Sequence, residues 1–408
     1  MNCRSCNEIL YHMFIDLVSA PPSNSFLTRE GLDEPEVYYP LKLFVCENCF
    51  LVQIDEYKKS HEIFDGNYAY FSSYSKSWLG HAKKYVDMVI ERFCLNDKSQ
   101  VIEIASNDGY LLQYFKPRNI PVLGVEPADN VAQTAMQKGI ETITEFFGEK
   151  LARQLAARGQ KADLLIGNNV FAHVPRVNDF IAGMKIILKE SGIITMEFPH
   201  LMRLIEQNQF DTIYHEHYSY FSFHTTLFIL EKHGLEVFDV DEIPTHGGSL
   251  RIYAKHKEDT TKAISPNVTV LLQREEKKGM RKLEYYLGFQ QKADRIKFDL
   301  LGFLLKQRQD GRKVSAYGAA AKGNTLLNYC GIKGDLVEFV VDASPQKQGK
   351  FLPGSHIPVV SENKITELKP DFVLILPWNI RDEIMVQLDY IRDWGGRFVV
   401  PIPSLQVL

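Results

Sequence analysis

The sequence predicts an α/β protein with two parallel-sheet units behind a small metal-clipped module. Three observations predict it. Short apolar strands alternate with helical stretches from Val101 onward, a second such alternation starts at Val314, and four of the six cysteines form two Cys-x-x-Cys pairs near the start of the chain. At 408 residues the chain is too long for one ordinary domain, and the divisions expected are 1–66, 67–258 and 259–408.

A hydrophobic content of 45% with 24% charged residues is that of a soluble globular protein. The formal net charge of -4 argues against a general nucleic-acid binder, although a local basic pocket is compatible with it. No apolar run approaches the ~20 residues of a membrane span, and the N-terminus lacks an apolar signal segment. The compartment expected is the cytoplasm, where cysteines are thiols or metal ligands rather than disulfides. A monomer or small homo-oligomer is expected.

The first element is the clip. Cys3, Cys6, Cys46 and Cys49 supply four thiolates on two knuckles, the donor set of a closed tetrahedral Zn²⁺ site. Four thiolates leave no open coordination position, so the zinc is expected to be structural. The segment between the knuckles is rich in Pro and short polar residues and looks too weakly apolar to fold alone. Cys94 and Cys330 lack partners in sequence and are expected to be buried thiols. An aromatic-hydroxyl cluster, residues 67–75, follows, and either Tyr68 or Tyr70 is a candidate substrate contact. The helix after it, about Ser77 to Phe93, carries Leu79, Ala82, Val86, Val89 and Ile90 at helical spacing.

Strands are expected at Val101 to Ile104, Val122 to Val125, Leu164 to Gly167 and Ile193 to Glu197, with a helix from about Tyr110. Ligands bind such sheets at the carboxyl ends of the strands, near the first crossover. The loop Ala105 to Gly109 has one glycine and no Gly-x-Gly-x-x-Gly, so it is not expected to cradle a pyrophosphate. Glu103 lies on the first strand, and Glu126 ends the second, where a carboxylate can take both hydroxyls of a ribose. Asn168 and Asn169 end the next long strand and offer amides to a polar ligand. This arrangement resembles the S-adenosylmethionine methyltransferase pattern. The resemblance implies a class I methyltransferase Rossmann-like domain with the cofactor at Glu103, Ala105, Ser106, Asp108, Gly109, Glu126, Asn168 and Asn169. A closing pair of strands, Glu236 to Val240 and Leu250 to Ala254, joined through Pro244 to Gly248, suits the same fold. The helix between, Thr225 to His233, stops at Gly234.

After the strand Ile193 to Glu197 comes Tyr214-His215-Glu216-His217-Tyr218-Ser219-Tyr220. Polar aromatic groups packed this densely are costly to bury without partners. Exposed to a cleft, they offer a base, an acid and hydroxyl donors for moving a proton beside a carbonyl. A Tyr/His-rich packing loop is the alternative. In an extended segment His215 and His217 would share a face and Glu216 would point away.

The last third opens with a charged helical stretch, Leu271 to Gln309, whose run Arg274 to Lys278 is expected to be a solvated face. Strands are expected at Val314 to Tyr317, Val337 to Val341 and Phe372 to Leu376. The first is followed by Gly318 to Asn324 and a helix ending at Gly331. Small residues there permit close backbone approach, a helix N-terminus attracts phosphate, and Lys322 adds charge, with Gly323 and Asn324 beside it. This second Rossmann-like unit is expected to bind a nucleotide; a copy kept for packing is the alternative.

The order of these parts, with Tyr-His-Glu-His-Tyr-Ser-Tyr-Phe and Tyr-Gly-Ala-Ala-Ala-Lys-Gly-Asn-Thr-Leu-Leu-Asn, resembles the sugar C-methyltransferase family over essentially the full length. The resemblance implies a zinc domain, an adenosylmethionine domain and a C-terminal α/β domain closing over a nucleotide-linked 4-ketosugar. It implies methylation at C3 of a 4-keto-6-deoxyhexose, typically on dTDP. By motif it places catalysis on Tyr214, Glu216 and His217, with His173 and a tyrosine of the Tyr68/Tyr70 segment. It selects His217 over His215 as the base, and that trio requires a turn or bulge in the segment. Ala105 departs from the glycine many methyltransferases place there. A sugar O- or N-methyltransferase and a non-catalytic nucleotide-sugar binding protein are the alternatives.

Overall fold

The structure is a computed structural model and describes residues 1–63, 68 and 71–408. Its first sheet is antiparallel and runs His12–Ala20, Tyr39–Val45, Val52–Ile54 and Ser219–Tyr220 in spatial order. The fourth strand comes from the downstream aromatic cluster. The inward residues Phe14, Leu17, Leu41, Leu43 and Val45 are buried. They pack in one core with Tyr218, Phe289, Leu300 and Leu326, and the Phe14 and Phe289 rings stack at 4.8 Å. The segment between the cysteine knuckles thus folds by leaning on the C-terminal third.

The central sheet has seven strands in the order Leu235–Ile243, Ser249–His256, Leu188–Pro199, Ala162–Asn168, Val101–Ile104, Val122–Val125 and Thr142–Ile143. Ser249–His256 runs opposite in direction to the other six strands. The chain reverses its direction of winding between Val101–Ile104 and Ala162–Asn168, which opens a crevice at their carboxyl ends. The helix Lys76–Phe93 covers one face. Ser75 caps it by accepting from the Trp78 amide, and Ala82, Val86 and Val89 are its buried stripe. The helix expected from Tyr110 is instead two 3₁₀ turns, Leu112–Tyr114 and Lys116–Arg118. Pro117 lacks the N–H an α-helix needs, and Asn119 at φ 53° ends the turn before Ile120.

The third sheet has six strands: Val359–Val360, Val340–Val341, Val314–Tyr317, Phe372–Ile375 and Arg397–Val400 are parallel, and Gln406–Val407 returns antiparallel. The second of these is shorter than the five residues expected. The helical stretch before it divides into Pro266–Lys278, Glu284–Leu287 and Phe289–Gln309. Its charged run is not uniformly solvated. Glu275 is fully buried, takes His200 Nε2 at 2.6 Å, and accepts the Phe223 and His224 amides at the start of the helix Phe223–Lys232. A carboxylate at those unpaired amides is favourable. Cys330 is buried as expected, but Cys94 is exposed, because its left-handed backbone (φ 52°) ends the helix Lys76–Phe93 at the surface. Among the described residues no helix is long and apolar enough to cross a membrane.

Candidate active site

The carboxyl ends of the central strands, the aromatic cluster and the first loop of the third sheet enclose one cavity of about 950 Å³. That is at the top of the range for small-molecule sites.

On the side of the central strands, Ala105, Glu126, Asn168 and Asn169 line the cavity, together with Asn107. Ala105 (φ 55°) and Asn107 (φ 49°) adopt the left-handed conformation that glycine takes easily, so the alanine fits the turn without changing its path. Glu126 Oε2 accepts from the Asn107 amide at 3.0 Å and Oε1 from the Ala128 amide at 2.9 Å. Burial outweighs these bonds and pushes its carboxyl up to about 7. Asn168 Oδ1 and Asn169 Nδ2 are buried without a partner among the described residues, the state expected of amides that a polar ligand satisfies.

Glu103, Ser106, Asp108 and Gly109 lie behind the wall. Burial and the charge of Glu126 raise the pKa of Glu103 well above the usual range. Asp108 pairs with Lys138 at 3.0 Å. Ser106 donates its amide to the Val125 carbonyl at 3.2 Å. Gly109 is left-handed (φ 73°), the conformation that favours glycine, and a Cβ there would run into Ile140 Cδ1. Ser106, Asp108 and Gly109 shape the loop, and Glu103 stands on the strand before it. Sequence reasoning missed Trp78, His81, Phe146, Phe147 and His246, which also line the cavity. Phe146 and Phe147 had one signal, an apolar pair just past a short strand.

On the other side, the segment after Thr212 makes a turn, with the His217 amide donating to the Tyr214 carbonyl at 2.9 Å. It therefore escapes strict alternation. Tyr214, Glu216 and His217 all line the cavity, whereas His215 turns toward the first sheet, with Nε2 3.2 Å from the Pro40 carbonyl and the Tyr39 ring beside it. His217 Nδ1 is 3.0 Å from the Thr212 carbonyl, so that nitrogen carries the hydrogen. Nε2 is left as acceptor, 2.8 Å from the Tyr214 hydroxyl. Burial, with His173 next, holds the His217 imidazole well below its usual pKa. The His173 ring stands edge-on to it at 4.6 Å, and burial lowers its own pKa to about 4. Glu216 Oε1 accepts from Asn24 Nδ2 at 2.6 Å, and burial pushes its carboxyl up to about 7. Asn24 is a further residue that the sequence did not single out.

Tyr68 lines the cavity, and its carbonyl accepts from Asn130 Nδ2 at 2.9 Å; Tyr70 lies outside the described residues. Lys322 reaches the cavity from the first turn of the helix Ala321–Cys330, with Nζ 2.6 Å from Asn379 Oδ1 and 5.0 Å from the centre of the Trp378 ring. Burial lowers its pKa against the attraction of Asp211. Gly323 and Asn324 do not line the cavity. A Cβ on Gly323 would meet Leu376 Cδ1 at 2.8 Å, and Asn324 Nδ2 holds the Ser23 carbonyl at 2.6 Å, fixing the segment that carries Asn24.

The sulfurs of Cys3, Cys6, Cys46 and Cys49 all lie within 4.8 Å of one another, with Cys3–Cys49 at 3.5 Å and Cys6–Cys46 at 3.4 Å. A tetrahedron with Zn–S bonds of ~2.3 Å has edges of about 3.8 Å, so the cluster fits zinc. The two knuckles share a geometry. The residue after each second cysteine, Asn7 (φ 67°) or Phe50 (φ 57°), returns its amide to the first cysteine's carbonyl at 2.9 Å.

Comparison with known proteins agrees with this layout. Residues 3–64 match the family model described as "Putative zinc binding domain", residues 78–240 a "Methyltransferase domain", and residues 244–403 a "C-methyltransferase C-terminal domain". The C-methyltransferase NovU of Streptomyces niveus is 34% identical over 406 residues, covering 100% of this chain and 96% of NovU. Among solved structures, a methyltransferase of Anabaena variabilis aligns with 44% of this chain and 86% of its own at 14% identity and a TM-score of 0.37. Magnesium protoporphyrin IX methyltransferase of Synechocystis aligns with 43% and 82% at 16% and 0.34. The full-length match, the strand order of the central sheet and the four clustered cysteines converge: the chain belongs to the C-methyltransferase family, with adenosylmethionine as methyl donor and a zinc-binding module at its head.

Proposed function

We propose that the protein methylates C3 of a 4-keto-6-deoxy sugar carried on a nucleotide, dTDP being the expected carrier. One observation carries the reading. A neutral imidazole, His217, has its accepting nitrogen on a tyrosine hydroxyl in the same cavity as the loop Ala105 to Asn107 and the carboxylate of Glu126. The proton on C3 is acidic because the C4 ketone can take the electron pair, provided the enolate oxygen is stabilised. His217 Nε2 takes that proton, and the hydrogen bond from Nδ1 to the Thr212 carbonyl keeps the tautomer that leaves Nε2 basic. The Tyr214 hydroxyl, released from Nε2, turns to the C4 oxygen, with the His173 ring edge-on to His217 beside it. Glu216 and Asn24 hold a polar group on the sugar, and Lys322 holds the carrier. Bound adenosylmethionine supplies the electrophilic methyl group. Its hydroxyls and amine fall to Glu126, Asn168 and Asn169, whose polar atoms face or border the cavity.

The test is solvent deuterium exchange at C3 in a panel of nucleotide-linked 4-ketosugars without methyl donor, followed by labelled methyl transfer. Exchange followed by a new C–methyl bond is expected. Methyl transfer to oxygen or nitrogen without exchange overturns the reading, as does binding without either.

A further inference from the structure

The zinc knuckle and the reacting histidines meet at one residue. Tyr218 follows His217 directly, and its amide donates to the Ala172 carbonyl at 2.7 Å, next to His173. Its carbonyl receives two donors, the Ile54 amide at 3.1 Å and Arg4 Nη1 at 2.7 Å. Arg4 stands between Cys3 and Cys6. Its Nη2 donates to the Ile54 carbonyl at 2.7 Å, and its amide donates to Gln53 Oε1 at 2.9 Å. Gln53, fully buried, completes the circuit: Nε2 donates to Cys3 Sγ at 3.2 Å, and its backbone pairs with Ser219 in the strand that follows the histidine turn. On the other knuckle, Thr225 Oγ1 donates to the Cys49 carbonyl at 2.9 Å.

We infer that Arg4 is a positioning residue through which the zinc clip sets the placement of His217 against His173. A clip needed for stability alone could be anchored anywhere on the fold. This one places a half-buried guanidinium on the carbonyl of Tyr218, the residue after the proposed base, while the amide of Tyr218 itself holds the turn that carries His173. The tether is rigid because the two terminal guanidinium nitrogens bond carbonyls of two chain segments, a planar fork that lysine cannot reproduce. Zinc at the four thiolates would fix Cys3 and Cys6, and with them the backbone of Arg4. The inference rests on the reading of His217 as the base.

The test compares Arg4→Met and Arg4→Lys with the parent protein at full length. Zinc content, adenosylmethionine affinity, kcat, and hydrogen exchange of the peptide spanning 214–220 are measured. Arg4→Met is expected to keep zinc and cofactor affinity, lose about 10–100-fold in kcat, and lose about tenfold in amide protection within 214–220. Arg4→Lys should recover part of both. Chelation of zinc from the parent should deprotect the same peptide. Unchanged kcat and protection in Arg4→Met overturns the tether, and so does a fall in kcat no larger than the zinc lost. A parent that exchanges no C3 proton defeats the base assignment instead, and the tether is then decided by the protection of 214–220 in Arg4→Met.

Discussion

In the central sheet, Glu126 follows the second strand and its carboxylate ties the Asn107 amide to that of Ala128, two residues beyond itself. In the C-terminal sheet, Asp342 follows Val340–Val341 and ties the Ala319 amide, at 2.8 Å, to that of Ser344, at 2.9 Å. The first loops correspond as well, with Ala105 (φ 55°) and Gly318 (φ 92°) both left-handed just after their strands. The difference lies in what reaches the cavity. Glu126 lines it, and no cation pairs with it among the described residues. Asp342 does not line it and pairs with Lys347 at 3.4 Å. There it is Lys322 and Lys347 that line the cavity. One latch, used twice, thus gives the cavity an acidic wall suited to hydroxyls and a cationic wall suited to an anionic carrier. Topology alone would have made the two units equivalent; one lysine beside one carboxylate separates them.

The chemistry is expected at the seam between these walls, where the largest effect should appear. His217→Asn should lower kcat by about 10²–10⁴-fold with cofactor affinity kept, and should abolish C3 exchange. His215→Asn, which alters a ring facing the first sheet, should retain exchange. If His215→Asn stops exchange and His217→Asn does not, the seam is misplaced. The two latches are separated next. Glu126→Ala should weaken adenosylmethionine binding by about 1.5–3 kcal/mol, the range for bonds to a charged group, whereas Asp342→Ala should leave it unchanged in calorimetry. Equal losses would make the two units alike after all. On the cationic wall, Lys322→Ala should raise the KM for the nucleotide sugar about tenfold with the cofactor Kd unchanged. The reverse pattern would return the third sheet to packing.

Much of this layout was legible in the residues. Alternating short strands give the central order because parallel pairing needs crossovers, and Cys-x-x-Cys pairs give a metal clip because donor chemistry is local. The turn at Tyr214 to His217 was legible as a requirement, since an extended segment could not bring Glu216 and His217 to one site. What stayed hidden depends on long-range partners. Nothing near Glu275 says that a charged run will bury one carboxylate under the amides of Phe223 and His224. Arg4 and Asn24 look like surface residues until Tyr218 and Glu216, some two hundred positions later, come to meet them. Cys94 was misplaced for the opposite reason: a thiol's usual burial says nothing about a helix that ends at the surface.

The smallest expected effect is a pH dependence, and it probes the acidic wall alone. Burial raises the Glu126 carboxyl to about 7, above its ordinary 4.5, so in the ligand-free protein it is partly protonated near neutrality. For folding, the sign is that of a raised acid: the contribution is fully present below about 4.5 and is lost as pH rises through about 7. For cofactor binding the sign reverses. If the ribose sits on Glu126 as proposed, its hydroxyls donate to the ionised carboxylate, so binding favours the deprotonated form and releases a proton. Adenosylmethionine affinity should therefore weaken about threefold from pH 7.5 to pH 6.5. The binding heat should vary with buffer ionisation enthalpy in proportion to the proton released. Glu126→Gln should flatten both dependences, because the amide has no proton to lose in this range, while Asp342→Asn should leave them as in the parent. A parent affinity that does not change across this range would mean that the cofactor's ribose does not meet Glu126, and the contrast between the two latches would then rest on Lys347 alone.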